Sequence, residues 1–94
     1  MDGLETHYYE NGQKDLEVTY KDGKEDGPRT EYYENGQKKS EATLKDGKFN
    51  GLETMWHENG QKKAEATLKD NVLVSGKYWN SKGEEVETME EASD

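Results

Sequence analysis

Glu34-Asn35-Gly36-Gln37-Lys38 decides the fold, because the same five residues stand at Glu10-Asn11-Gly12-Gln13-Lys14 and again at Glu58-Asn59-Gly60-Gln61-Lys62. The period is 24 residues, and the residues between these turns repeat with them. Blocks starting at Gly3 and Gly27 agree at 15 of 24 positions, and those starting at Gly27 and Gly51 agree at 14 of 24. The chain is therefore an array of one short unit, too small to bury a core alone and stable only when stacked on its neighbours.

Each unit reads as two strands. Leu4 to Tyr9, Arg29 to Tyr33 and Leu52 to His57 form the first set. Lys14 to Lys21, Lys38 to Lys45 and Lys62 to Lys69 form the second, with Thr, Val, Leu and Tyr at alternating places and Asp-Gly or Asp-Asn at the end. Glycine every dozen residues leaves no room for ordinary helices, so period two prevails over 3.6. The fold class expected is all-β: an elongated antiparallel meander of 24-residue hairpins in a single curled sheet, without substantial helix. Three hairpins occupy 3–26, 27–50 and 51–74. A divergent cap with Val72, Leu73, Val74, Tyr78 and Trp79 closes an array spanning 1–86, and 87–94 is an acidic, frayed tail.

The turns set the faces. A three-residue loop Glu34-Asn35-Gly36, with Gly36 left-handed in a bulge, makes residue i face residue 70−i. Carried along the whole hairpin, with a second three-residue loop at Asp22-Gly23-Lys24, this register puts Tyr8, Lys14, Tyr32, Lys38, Trp56 and Lys62 in one row. It places Leu16, Val18, Ala42, Leu44, Ala64 and Ala66 on the same face, with Glu17, Glu41, Glu65 and Thr19, Thr43, Thr67 on a solvated reverse. Small residues in the middle rows would let the sheet curl into a trough. Tyr9, Tyr33 and His57 fall on the reverse face near the turns.

The repeat from Gly27 to Gly51, Gly-x-x-Thr-x-Tyr-Tyr-Glu-Asn-Gly-Gln-Lys-Lys-x-Glu-Ala-Thr-Leu-Lys-Asp-Gly-Lys-x-x-Gly, resembles the MORN-repeat variant of bacterial YwqK-like antitoxin proteins. The resemblance covers about residues 2 to 83 in three consecutive copies. It implies a meander of antiparallel hairpins and a role as the antitoxin or immunity partner of a toxin. The Tyr-x-Gly-x-Trp core of the ordinary MORN repeat is missing, which argues against lipid binding.

Composition narrows the function classes. Of 94 residues, 28% are hydrophobic and 37% charged, so a thick closed core is not expected. The net charge is −9, and six of the 22 acids lie from Glu84 to Asp94, where there is no base. No basic stripe is present to neutralise phosphates, which disfavours nucleic acid. The absence of cysteine suits a reducing compartment. Cytoplasm is the default location; the start in mid-pattern at Asp2-Gly3 suggests a segment of a longer array, and a missing leader would allow the cell envelope.

Metal and catalytic sites are not expected. His7 and His57 occupy non-equivalent places. Asp22 to Tyr33 imitates the opening of a calcium loop but has Lys24 at the third position and Tyr33 at the twelfth. No nucleophile elbow or phosphate-cradling loop is present, so an enzyme is not expected and no cofactor is implied. The candidate site is the row Tyr8, Tyr32, Trp56 with Lys14, Lys38, Lys62: rings flanked by cations, suited to gripping a protein partner. Self-association, as a structural section of a longer array, is the alternative.

Overall fold

The computed structural model describes residues 2–93; Met1 and Asp94, the ends of the expected array and tail, lie outside the described residues. The strands are β1 (Gly3–Tyr8), β2 (Lys14–Lys21), β3 (Lys24–Tyr32), β4 (Lys38–Lys45), β5 (Lys48–Phe49), β6 (Gly51–Trp56), β7 (Lys62–Lys69), β8 (Val72–Trp79) and β9 (Glu85–Val86). They form one open antiparallel sheet in the order β1-β2-β3-β4-β6-β7-β8-β9, with β5 paired to β4. The molecule is a slab of 41 × 35 × 14 Å. One helical turn, α1 (Met89–Ala92), starts at Thr88, whose hydroxyl accepts from the Glu91 N–H at 3.1 Å. No helix among the described residues is long and apolar enough to cross a membrane.

The Glu-Asn-Gly turn forms as expected. Tyr33 N–H donates to the Gln37 carbonyl at 2.8 Å and Gly36 N–H to the Tyr33 carbonyl at 2.9 Å, closing a three-residue loop with Gly36 at φ 90°. Tyr32 consequently faces Lys38. Beyond that pair the expected register fails. Glu31 faces Ser40, Thr30 faces Glu41 and Arg29 faces Ala42, so Lys39 is an extra, bulged residue. The same shift occurs between His7 and Tyr8 and between Met55 and Trp56.

The second loop also differs from expectation. Lys21 pairs with Lys24, leaving a two-residue loop in which Asp22 (φ 52°) and Gly23 (φ 79°) are both left-handed, the geometry that Asp-Gly favours. Register is then readjusted inside β3. Tyr20 faces Glu25 but Val18 faces Arg29, so Asp26, Gly27 and Pro28 stand opposite Thr19 alone.

These bulges rearrange the faces, because a one-residue slip carries every following side chain to the other side. One face carries the unbroken row Thr6, Glu17, Thr30, Glu41, Thr54, Glu65, Lys77. The opposite face carries His7, Leu16, Glu31, Ser40, Met55, Ala64, Tyr78, Val86. Leu16, Val18, Ala42, Leu44, Ala64 and Ala66 thus lie opposite the aromatic row rather than beside it, and the glutamates expected on the reverse stand next to the rings. The small-residue rows that would have curled the sheet toward the rings do not form.

The core is thin and lies on the second face. Val18, Ala42, Leu44 and Ala64 are 2–6% exposed, and Ala92 of α1 is fully buried. Leu4 and Leu52, by contrast, are 65% and 54% exposed on the ring face, opposite Thr19 and Thr67.

Glycine at the loop serves two ends. Gly36 needs its positive φ, and a Cβ there would sit 3.1 Å from Gln13 Oε1 of the preceding repeat. Gly60 and Gly83 meet Gln37 and Gln61 in the same way, at 3.2 and 3.1 Å. Gly36→Ala is expected to lower unfolding free energy by about 1–2 kcal/mol, from the left-handed backbone alone. Urea denaturation of Gly36→Ala with and without Gln13→Ala checks this: the double variant recovers only the crowding part, and an unchanged single variant would contradict the reading.

Candidate functional site

The rings of the candidate row enter from the ends of equivalent strands: Tyr8 from β1, Tyr32 from β3, Trp56 from β6. Because the bulge follows Lys14, Lys38 and Lys62, each lysine stays on the ring face with the glutamate three residues on. Lys38 Nζ lies 2.8 Å from Glu41 Oε2 and 5.9 Å from the Trp56 ring centroid. Lys62 Nζ lies 2.9 Å from Glu65 Oε2 and 6.0 Å from the Trp79 ring. Lys14 Nζ lies 3.3 Å from Glu17 Oε2. All six expected residues therefore share one face, with each lysine–ring contact made to the following repeat.

Two groups were not anticipated in this row. The first is the glutamates, which complete a lysine–carboxylate–ring rail. The second is Trp79, a fourth ring, whose place is shown by Asn80 and Gly83 closing the same loop as Tyr33 and Gly36. The spacing of 23 rather than 24 residues hid it, although Trp79-Asn80 ahead of Gly83 was a usable signal.

At the first junction the ring is a phenol, and it bonds to the carboxylate. The Tyr32 hydroxyl donates to Glu17 Oε1 at 2.8 Å. That bond, with burial adding to it, pushes the Tyr32 pKa up to about 12. The same bond, with Lys14's, holds Glu17 below the usual carboxylate value.

Tyr9, Tyr33 and His57 lie on the core face and are staples between repeats. The Tyr9 hydroxyl donates to the Tyr32 carbonyl at 2.6 Å, Tyr33 to the Trp56 carbonyl at 2.7 Å, and His57 Nε2 lies 2.8 Å from the Trp79 carbonyl. Each bond fixes the backbone that carries a ring of the row. Asn11, Asn35 and Asn59 act in parallel at the loops. Each accepts the N–H two residues on at 2.9 Å and donates to the next loop, at Glu34, Glu58 and Ser81.

The core face holds a second feature, a cleft of about 130 Å³ lined by Arg29, Glu31, Lys39, Phe49, Glu53 and Met55 among others. Arg29 reaches Glu25 at 3.6 Å and Glu31 at 3.5 Å. Glu53 is pushed above the usual carboxylate range by burial first and by the charge of Glu31 second, with Arg29 opposing. The neutral form is favoured more in the folded than in the unfolded chain, so ionising it opposes folding as pH rises. The bulged Lys39 lies over the Tyr33 ring at 5.7 Å on this side. Among the described residues no group of His, Asp and Glu is arranged to hold a metal.

The chain is a one-layer array of hairpin repeats with a regular side-chain rail on one face. The family model of the MORN repeat variant matches residues 1–22, 25–46 and 49–70, well over half of the chain and with the same 24-residue period. The chain belongs to the MORN repeat variant family. No curated protein matches it. Among solved structures, a chain in the crystal structure of accessory secretory proteins 1, 2 and 3 of Streptococcus pneumoniae is similar over 90% of this chain, at 19% identity and TM-score 0.51. This chain spans 16% of the length of that one, and the likeness is one of fold.

The Tyr32–Glu17 bond gives a pH signature. Glu17's folded value lies below its unfolded one, so its contribution is present above the ordinary carboxylate pKa and lost as pH falls through the lower folded value. Tyr32's folded value is raised, so its contribution is full below pH 10 and lost between pH 10 and about 12. Thermal midpoints measured across pH are expected to show both losses shrinking in Tyr32→Phe; an unchanged profile would count against the bond.

Proposed function

We propose that the chain is a protein-recognition module, not an enzyme, and that the rail of Tyr8, Tyr32, Trp56 and Lys14, Lys38, Lys62 is its contact surface. The observation that carries this is exposure without a covering layer. Tyr8 is 62% exposed, Tyr32 and Trp56 are half-buried, the three lysines are exposed, and Leu4 and Leu52 on the same face are more than half exposed, opposite the core. Rings with cationic neighbours on a rigid sheet make contact area at little entropic cost. In its most specific form the module is the antitoxin or immunity partner of a toxin, acting in the cytoplasm; the family membership supports the binding role, and the antitoxin role rests on the sequence resemblance.

A second reading, self-assembly, draws on β8. Val72, Leu73 and Val74 are 54–65% exposed, and β8 pairs with β9 only at Tyr78 and Trp79, so its remaining outer edge offers backbone for strand addition.

The test is a pull-down from lysate of the source organism with the intact chain and Tyr32→Ala/Trp56→Ala as baits. One protein retained by the intact chain and released by the variant is expected, and inhibition of that protein's own activity would establish the antitoxin role. Equal retention by both baits would contradict the rail as contact surface. Recovery of the bait alone would favour self-assembly.

A further inference from the structure

The rail has a spacing as well as a chemistry. Tyr8, Tyr32, Trp56 and Trp79 stand on every second strand of the sheet. With strands ~4.7–4.9 Å apart, successive rings repeat every ~9.4–9.8 Å across the sheet. Two shallow clefts of matching composition lie along this row, each against one ring. One, of about 290 Å³, is lined by Gln37, Lys38, Trp56 and Gly60; the next, of about 340 Å³, by Gln61, Lys62, Trp79 and Gly83. A ligand that fits one cleft meets the same chemistry one repeat further on, so a linear ligand of matching period gains by multiple attachment.

A polyproline II chain has that period. It advances ~3.1 Å per residue with three residues per turn, or ~9.3 Å per turn, so every third side chain falls on the next cleft. A β-strand places side chains on one face every ~6.6–6.8 Å and drifts out of step after one cleft. The chemistry agrees with the geometry. Trp56 and Trp79 are half-buried with an ammonium over each ring, and the parts of the rings that line the clefts suit the flat, apolar pyrrolidine, the mode by which aromatic-lined grooves take proline-rich segments. The polyproline II backbone leaves its carbonyls without internal partners. The ammonium groups of Lys38 and Lys62 have three donors each, of which the paired glutamate takes one, and the Gln37 and Gln61 carboxamides stand beside them.

We infer that the partner segment recognised by this rail is an extended polyproline II stretch with proline at every third residue, laid across the strands over the clefts at Trp56 and Trp79. This rests on the recognition role of the rail and specifies what it recognises.

The experiment uses the full chain, 15N-labelled, titrated with a capped peptide of four Pro-Ala-Gln triplets. Its control is an isomer of identical composition with the prolines at every second position. The triplet peptide is expected to shift the indole N–H signals of Trp56 and Trp79 and the side-chain amides of Gln37 and Gln61. It should bind at least about tenfold more tightly than the isomer, whose prolines cannot occupy consecutive clefts. Equal affinity for the two peptides, or no shift at those groups, overturns the inference; so does a linear neutral oligosaccharide that shifts the same signals more strongly. A partner captured through Trp56 in the pull-down, with neither peptide bound, would leave the recognition role standing and remove only its polyproline form.

Discussion

The residue inserted after each Glu-Asn-Gly-Gln turn, Lys39 in the second hairpin, governs which side chains of this sheet meet. A single layer has no second sheet to decide what is inside, so the partition rests on register alone. Next to the turn the pair Tyr32–Lys38 keeps ring and ammonium together. One bulge later the strand has changed phase, and Glu41 joins them while Ala42 and Leu44 pass to the other side. The rail and the core are both products of that one-residue shift. Without it, the lysine and the glutamate three positions on would point to opposite faces and their ion pair could not form.

The slab also lacks the burial that holds two-layer proteins together, and the compensation is visible between repeats. A hydroxyl or imidazole from one repeat meets the backbone carbonyl under the next repeat's ring, an asparagine amide meets the next loop, and a glutamine lies against the next glycine. Net worth is about 0.5–1.5 kcal/mol for each hydrogen bond. Their regularity ties the ends of the strands where the rail sits, which keeps its rings in line. On the core face, Arg29 stands between Val18 and Ala42 and Phe49 stands beside Leu44, and long side chains so placed can shelter small apolar neighbours without a covering layer.

Much of this was legible in the sequence. The 24-residue period, the strands and the left-handed Gly36 follow from residues whose turn chemistry is local. The ring–lysine row was legible too, since Tyr32 and Lys38 flank the loop and need only the loop's own register. The faces beyond were not. In Lys38-Lys39 two identical residues conceal which one is the insertion, and polar Arg29 and Glu31 on the core face remove the clean alternation that would have exposed the change of phase. The two-residue loop at Asp22-Gly23 was compatible with its sequence signature, but its compensating insertion at Asp26-Gly27-Pro28 is marked locally only by the glycine and, in this repeat alone, by a proline that cannot donate to the ladder. The staples of Tyr9 and Tyr33 depend on a contact 23 residues away, which only the stacked array creates.

The shifted register is open to a direct chemical measurement, because the chain has no cysteine of its own. Cα atoms of directly paired residues in an antiparallel sheet lie within disulfide range. Thr54 faces Glu65, whereas an unbulged hairpin would bring it opposite Ala64. Mild oxidation of Thr54→Cys/Glu65→Cys should close an intramolecular disulfide, read as a loss of free thiol in the monomer, and Thr54→Cys/Ala64→Cys should stay reduced under the same conditions. The opposite result, closure of the second pair and not the first, would contradict the bulge and with it the division of the sheet into a rail and a core.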